Sequence, residues 1–199
     1  MHELVVVENV SLDGVAQGPG RPDEDTRGGF DLGGWATRLL AEDPEAVRAA
    51  MGGRGATAAM LFGRRTYRDL VGHWLSTDEP NPFTDVLRRT PKFVASRSAD
   101  PEGGVPWPAS TLLTGEAVRT VAELKGRGNG QLVVLGSLAL VRDLTAAGLV
   151  DRFVLTTLPV VLGRGTRLFE GTALDLDVES STTTAAGTVV ATHRVRRTR

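Results

Sequence analysis

Three places in the sequence put phosphate-binding residue types at the end of an apolar run. In Leu61-Phe62-Gly63-Arg64-Arg65-Thr66-Tyr67, the run stops at a glycine and passes straight into a helical pattern with two guanidinium groups and a hydroxyl. Arginines at a helix start oppose the helix dipole, so a bound anion there would offset their charge. In Val133-Val134-Leu135-Gly136-Ser137-Leu138-Ala139, the glycine permits close backbone approach and the first-turn N–H groups of the next helix can face an anion. The same string also reads as a plain turn with Ser137 as helix cap. Ala95-Ser96-Arg97-Ser98 ends another strand with hydroxyls and an arginine. Three such ends suit a long, multiply phosphorylated ligand beyond the carboxyl ends of a sheet.

Other chemistries lack their residues. With no cysteine, thiolate zinc sites, iron–sulfur clusters, disulfides and cysteine nucleophiles are excluded together. His2, His73 and His193 have no metal-ligand spacing, so no metal is expected. There is no P-loop and no Gly-x-Ser-x-Gly elbow. Gly53-Arg54-Gly55-Ala56 and Gly126-Arg127-Gly128-Asn129-Gly130 precede strands, whereas a dinucleotide fingerprint follows one. Gly163-Arg164-Gly165 reads as a turn.

The elements that must position these groups alternate along the chain. Strands are predicted at 4–7, 58–63, 92–95, 111–113, 131–135, 153–157 and 160–162, with a C-terminal hairpin of 174–179 and 188–195. Helices are predicted from Trp35, from Asp43-Pro44-Glu45 to about Met51, over 65–74, 116–125 and from Ser137 to Ala147. The order is that of an α/β protein, with about eight or more strands in a mostly parallel sheet, about four principal flanking helices and an antiparallel C-terminal hairpin. Between the first strand and first helix, residues 11–34 carry seven glycines, too long a loop for mere connection. With 199 residues and no linker of distinct composition, residues 1–199 are expected to form one domain.

Charge narrows the partners. With 23 basic and 24 acidic side chains, a general positive field for nucleic acid is absent, and Arg194, Arg196, Arg197 and Arg199 read as a solvated or disordered end. No apolar stretch reaches membrane-spanning length and no signal peptide is evident, so a cytoplasmic protein without membrane contact is expected.

Ser11-Leu12-Asp13-Gly14, Gly63-Arg64-Arg65-Thr66-Tyr67, Val134-Leu135-Gly136-Ser137 and Gly148-Leu149-Val150-Asp151, followed by Leu158-Pro159-Val160-Val161-Leu162-Gly163-Arg164-Gly165, together resemble the dihydrofolate reductase superfamily. Within it the chain is most similar to the reductase domain of bifunctional riboflavin-biosynthesis proteins. The resemblance implies NADPH, with Gly63, Arg64, Arg65, Thr66, Ser96 and Arg97 holding its phosphates and Gly136, Ser137, Leu138 and Ala139 forming a second cradle. It places Asn9 beside the nicotinamide, Asp13, Trp35 and Thr156 toward a small heterocyclic substrate, and the glycine-rich loop over the reacting ring. Asp31 is the implied proton donor, or else a cap of the Trp35 helix; Asp13 is its rival, or else a turn residue. Where relatives carry Gly-Gly, this chain has Gly136-Ser137. The implied activity is hydride transfer to a C=N or C=O carbon, most like a 5-amino-6-(5-phosphoribosylamino)uracil reductase, with a dihydrofolate or pterin reductase as alternative. A non-catalytic NADP(H)-binding sensor or scaffold is the alternative of another class. The fused zinc deaminase of the bifunctional proteins is missing, and a free-standing homodimer is expected.

Overall fold

The computed structural model describes residues 1–52, 57–77, 82–98 and 104–197; the Gly53–Ala56 string and Arg199 lie outside them. In chain order the elements are β1 (Glu3–Ser11), α1 (Trp35–Ala41), α2 (Pro44–Gly52), β2 (Thr57–Gly63), α3 (Arg64–Thr66), α4 (Gly72–Ser76), α5 (Pro82–Arg89), β3 (Lys92–Ser96), β4 (Ser110–Thr114), α6 (Ala117–Arg127), β5 (Gln131–Leu135), α7 (Leu138–Ala146), β6 (Arg152–Leu158), β7 (Leu176–Thr183) and β8 (Val189–Val195). A π turn over Tyr67–Val71 joins α3 to α4. The strands form one eight-stranded sheet ordered β4-β3-β2-β5-β1-β6-β8-β7. Two compact units are distinguished, Met1–Val5 with Ala56–Leu149 and Val6–Gly55 with Val150–Arg199.

In the first unit, β2 pairs in parallel with both β3 and β5, and β3 with β4. Every residue of β5 is buried, as a continuous apolar run on a parallel strand requires. Parallel pairing carries the carboxyl ends of β2, β3 and β5 to the same edge, which positions the phosphate-donor strings. Lys92 is buried in this unit and its ammonium donates to the carbonyls of Leu87 and Thr90. At α6, the Glu116 carboxylate accepts from the N–H groups of Val118 and Arg119, an N-cap that lowers the Glu116 pKa.

In the second unit, β6 and β7 both pair antiparallel with β8, giving the expected hairpin. The predicted strand over 160–162 does not form. Its polar backbone is used elsewhere: the Val160 carbonyl accepts from Leu12 N–H, and Leu162 N–H donates to the Asp13 carboxylate. Nor is the basic C-terminal segment loose through residue 197. Arg194 pairs with Glu179, Arg196 with Asp177 and Arg197 with Asp151. The helix α5 is not among the predicted elements, which pass from residue 74 to the strand at 92.

The glycine-rich loop is packed rather than open. Val15, Phe30, Trp35, Ala36 and Leu158 form a buried cluster. Gln17, itself buried, donates to the carbonyls of Asp25 and Arg27 and accepts from both the N–H and hydroxyl of Thr166. A Cβ on Gly33 would sit 2.4 Å from the Pro22 carbonyl oxygen, so this chain crossing admits only glycine.

Candidate functional site

At the edge of the first unit, β2 hands over to α3 at Gly63. Arg64, half-buried, reaches the Ser96 hydroxyl at the end of β3, 3.5 Å away, and that hydroxyl donates to the Ser98 carbonyl. Arg65 and Arg97 are exposed. The two guanidinium groups of α3 therefore stand at a helix start with no acid in its first turn. The π turn that follows puts the Tyr67 ring under Trp107, edge to face, and the Tyr67 hydroxyl accepts from the Trp107 N–H. A π turn inserted into a helix is a device that recurs at functional sites.

The β5–α7 junction is tighter than its sequence suggests. Gly136 has φ +60°, and a Cβ there would lie 2.9 Å from the Thr66 methyl, so the residue must be glycine on both counts. Ser137 also lies in the left-handed region, φ 62°, which costs a non-glycine residue about 1–2 kcal/mol. Its hydroxyl does not cap α7. It accepts instead from Gly63 N–H at 2.9 Å and so ties the α7 start to the β2 end. The first turn of α7, from Leu138 and Ala139, has no acidic residue and leaves its N–H groups outside the helix's own hydrogen bonding. Gly63, Arg64, Arg65, Thr66, Ser96, Arg97 and Gly136 to Ala139 thus meet at the ends of adjacent parallel strands. The donors suit phosphate oxygens: the first-turn amides of α7, hydroxyls and guanidinium groups.

The second unit carries the other expected residues. Asn9 is half-buried on β1, and Thr156 is buried on β6 opposite Val190 of β8. Trp35 is buried in the apolar cluster and its indole N–H donates to the Gln17 carbonyl at 2.9 Å. Asp13 fixes the loop: its carboxylate accepts from the Ser11 hydroxyl at 2.7 Å, Leu162 N–H at 3.1 Å and Gly163 N–H at 2.9 Å. These bonds, the Ser11 one foremost, hold its pKa down at about 2. A carboxylate so committed is an anchor, ill suited to giving up a proton. Asp31 is exposed and ion-paired with Arg164.

Two residues escaped the sequence reading. Gln17 had no flanking signal, since its four bonds go to residues that folding brings in. Glu8 follows the apolar run of 4–7 and looks like the point where a strand turns polar, yet it is buried. Among the described residues no cluster of His, Asp or Glu could hold a metal ion, and no helix is long and apolar enough to cross a membrane.

A mostly parallel sheet closed by an antiparallel hairpin, with phosphate donors at parallel strand ends, defines a dihydrofolate-reductase-like α/β protein. The chain belongs to the RibD C-terminal domain family, whose model matches residues 3–191. Its fold resembles that of a riboflavin biosynthesis protein from Shewanella, with TM-score 0.62 and 20% identity over 98% of this chain and 99% of the other. Dihydrofolate reductase from Enterococcus faecalis, solved with NADP(H), gives TM-score 0.57 and 13% identity over 98% and 97%. A deaminase/5-amino-6-(5-phosphoribosylamino)uracil reductase from Thermotoga maritima gives TM-score 0.60 and 13% identity over 98% of this chain and 57% of that one. A comparison with curated proteins gives no match.

Proposed function

We propose that the protein is an NADPH-dependent reductase that delivers hydride to a C=N or C=O carbon of a small heterocyclic substrate, most like a 5-amino-6-(5-phosphoribosylamino)uracil reductase. The observation that carries this reading is the anion cradle at the ends of β2, β3 and β5. The residues present fit a phosphorylated dinucleotide: Gly136 has no room for a side chain, the α7 start has no side-chain cap on its first-turn amides, and Arg64 lies against Ser96. Membership of the RibD C-terminal family supports the same reading.

Bound there, NADPH would supply the hydride. Gly63, Arg64, Arg65, Thr66, Ser96 and Arg97 would hold the adenosine 2′-phosphate and part of the pyrophosphate, with Gly136, Ser137, Leu138 and Ala139 donating to the rest. In the second unit, β1 around Asn9 would flank the nicotinamide, while Trp35, Thr156 and the Asp13-anchored loop would line the substrate side and exclude water from the reacting carbon. Asp31, paired with Arg164, would be placed to orient substrate at the surface of that loop. The protein would work as a cytoplasmic homodimer, which sedimentation of the purified chain would test.

The functional test is a fluorescence titration with NADPH and NADH, followed by turnover with the ribosylaminouracil and with dihydrofolate. The expected result is preference for NADPH and reduction of the ribosylaminouracil. Reduction of dihydrofolate alone would move the assignment to a pterin reductase; binding of neither nucleotide would overturn it.

A further inference from the structure

Among the described residues, four carboxylate or ammonium side chains are buried: Glu8, Asp43, Lys92 and Lys125. Three have evident structural uses. Asp43 accepts from Ala46 N–H and the Thr184 hydroxyl, Lys92 donates to two carbonyls, and Lys125 donates to the Leu149 carbonyl at 2.6 Å. Glu8 differs. It lies in β1 among Val6, Val7 and Val10, is only 5% exposed, and its Oε1 is enclosed with no hydrogen-bond partner among the described residues. A buried carboxyl oxygen left without a partner is costly to keep and calls for a use outside the fold's own bonding.

We propose that Glu8 is the proton donor of the reaction, an enclosed carboxylic acid that protonates the substrate nitrogen or oxygen as hydride reaches the adjacent carbon. This rests on the reductase reading above. The balance is simple: NADPH gives a hydride to the carbon, and the Glu8 O–H bond breaks as an N–H or O–H bond forms. The Glu8 carboxylate then takes up a proton from solvent, so that substrate, NADPH and one H⁺ give NADP⁺ and the reduced substrate.

The surroundings keep that proton in place. Burial, above all, pushes the Glu8 carboxyl well up from its ordinary range, and the Glu24 carboxylate of the glycine-rich loop adds to it. Glu24 is itself fixed, accepting from the N–H groups of Gly20 and Arg21. On β6, the neighbour of β1 in the sheet order, the one ionisable residue is Arg152, which pairs with Glu179. An acid held neutral near the working pH is what general acid catalysis needs. Glu8 directly precedes Asn9 on β1, so the stretch of strand that would flank the nicotinamide carries the Glu8 carboxyl as well.

The test uses the full chain. Glutamate side-chain carboxyls are followed by ¹³C NMR against pH without ligand, in wild type and in Glu8→Gln. One carboxyl titrating above the rest, and missing from the variant, is expected; an ordinary titration of Glu8 overturns the proposal. Glu8→Gln should bind NADPH as wild type does, yet its single-turnover rate with the ribosylaminouracil or dihydrofolate should fall about a hundredfold or more. The wild-type rate should drop as pH rises through the Glu8 midpoint, and that dependence should vanish in the variant. A variant rate equal to wild type overturns the proposal alone, whereas a wild-type protein that fails to bind NADPH overturns the reductase reading on which it rests. Glu8→Leu separates chemistry from architecture: it should melt higher than wild type while losing turnover, and lower melting of both variants would return Glu8 to a structural role.

Discussion

Ser137 holds an unfavourable backbone conformation and repays it with a hydrogen bond, and two substitutions separate these effects. Ser137→Ala keeps the left-handed residue and removes the acceptor for Gly63 N–H. A partly buried donor left without its partner costs about 1–2 kcal/mol, within the usual range for such losses. Ser137→Gly loses the same bond but escapes a left-handed penalty of about 1–2 kcal/mol. Against that gain, glycine loosens the unfolded chain by about 0.4–1 kcal/mol. The stability order expected is wild type, then Ser137→Gly close below, then Ser137→Ala lowest, with the two variants separated by about 0.5–1 kcal/mol. For a chain of this length each kcal/mol moves the melting midpoint by about 2–4 °C, within reach of thermal melts followed by circular dichroism. Urea titration gives a second measure, with an unchanged slope expected for both variants. Because both keep the α7 start, NADPH binding should weaken less in the glycine variant, whose backbone remains at ease in the cradle. Ser137→Ala as stable as wild type would refute the hydrogen bond between β2 and α7. Ser137→Gly less stable than Ser137→Ala would refute the strain.

Arg64→Ala should weaken NADPH about tenfold to a hundredfold, the worth of one charge-assisted contact, and NADH far less; equal losses in parallel titrations would remove Arg64 from the 2′-phosphate. The Asp13 carboxyl is held down at about 2 by its bonds, so its contribution to stability is present above its ordinary value of 3.8 and is lost as pH falls from there through about 2. Acid unfolding should therefore be blunter in Asp13→Asn, and melts of the two proteins that fall in parallel below pH 4 would contradict the latch to Leu162 and Gly163. Trp35→Phe leaves the buried Gln17 carbonyl without its indole donor and should cost about 1–3 kcal/mol in urea unfolding; an unchanged midpoint would show that the loop does not depend on this bond.

How far the residues announced the structure varied with the range of the interactions involved. The continuous run 131–135 became β5 with the predicted bounds, because a strand buried on both faces needs apolar side chains at every position. The strand–glycine–helix switches at Gly63 and Gly136 were likewise written locally. Residues 160–162 misled because an apolar run cannot say whether its N–H groups will find a strand or the Asp13 carboxylate, some 150 positions earlier in the chain. Glu8 stayed hidden for a related reason: a carboxylate next to an apolar run looks solvated until folding covers it.

The sequence by itself determined the α/β order, the placing of arginines and hydroxyls after three apolar runs, and the absence of thiol chemistry. Those properties follow from residue type and spacing within about ten positions, where backbone propensity and side-chain periodicity act. Tertiary structure alone decided that Ser137 bonds to Gly63 instead of capping its own helix, that Asp13 is an anchor, and that Glu8 is buried. Each depends on a partner or a burial supplied by distant chain, and a carboxyl's proton affinity is set by that surrounding dielectric and charge, which no local pattern encodes.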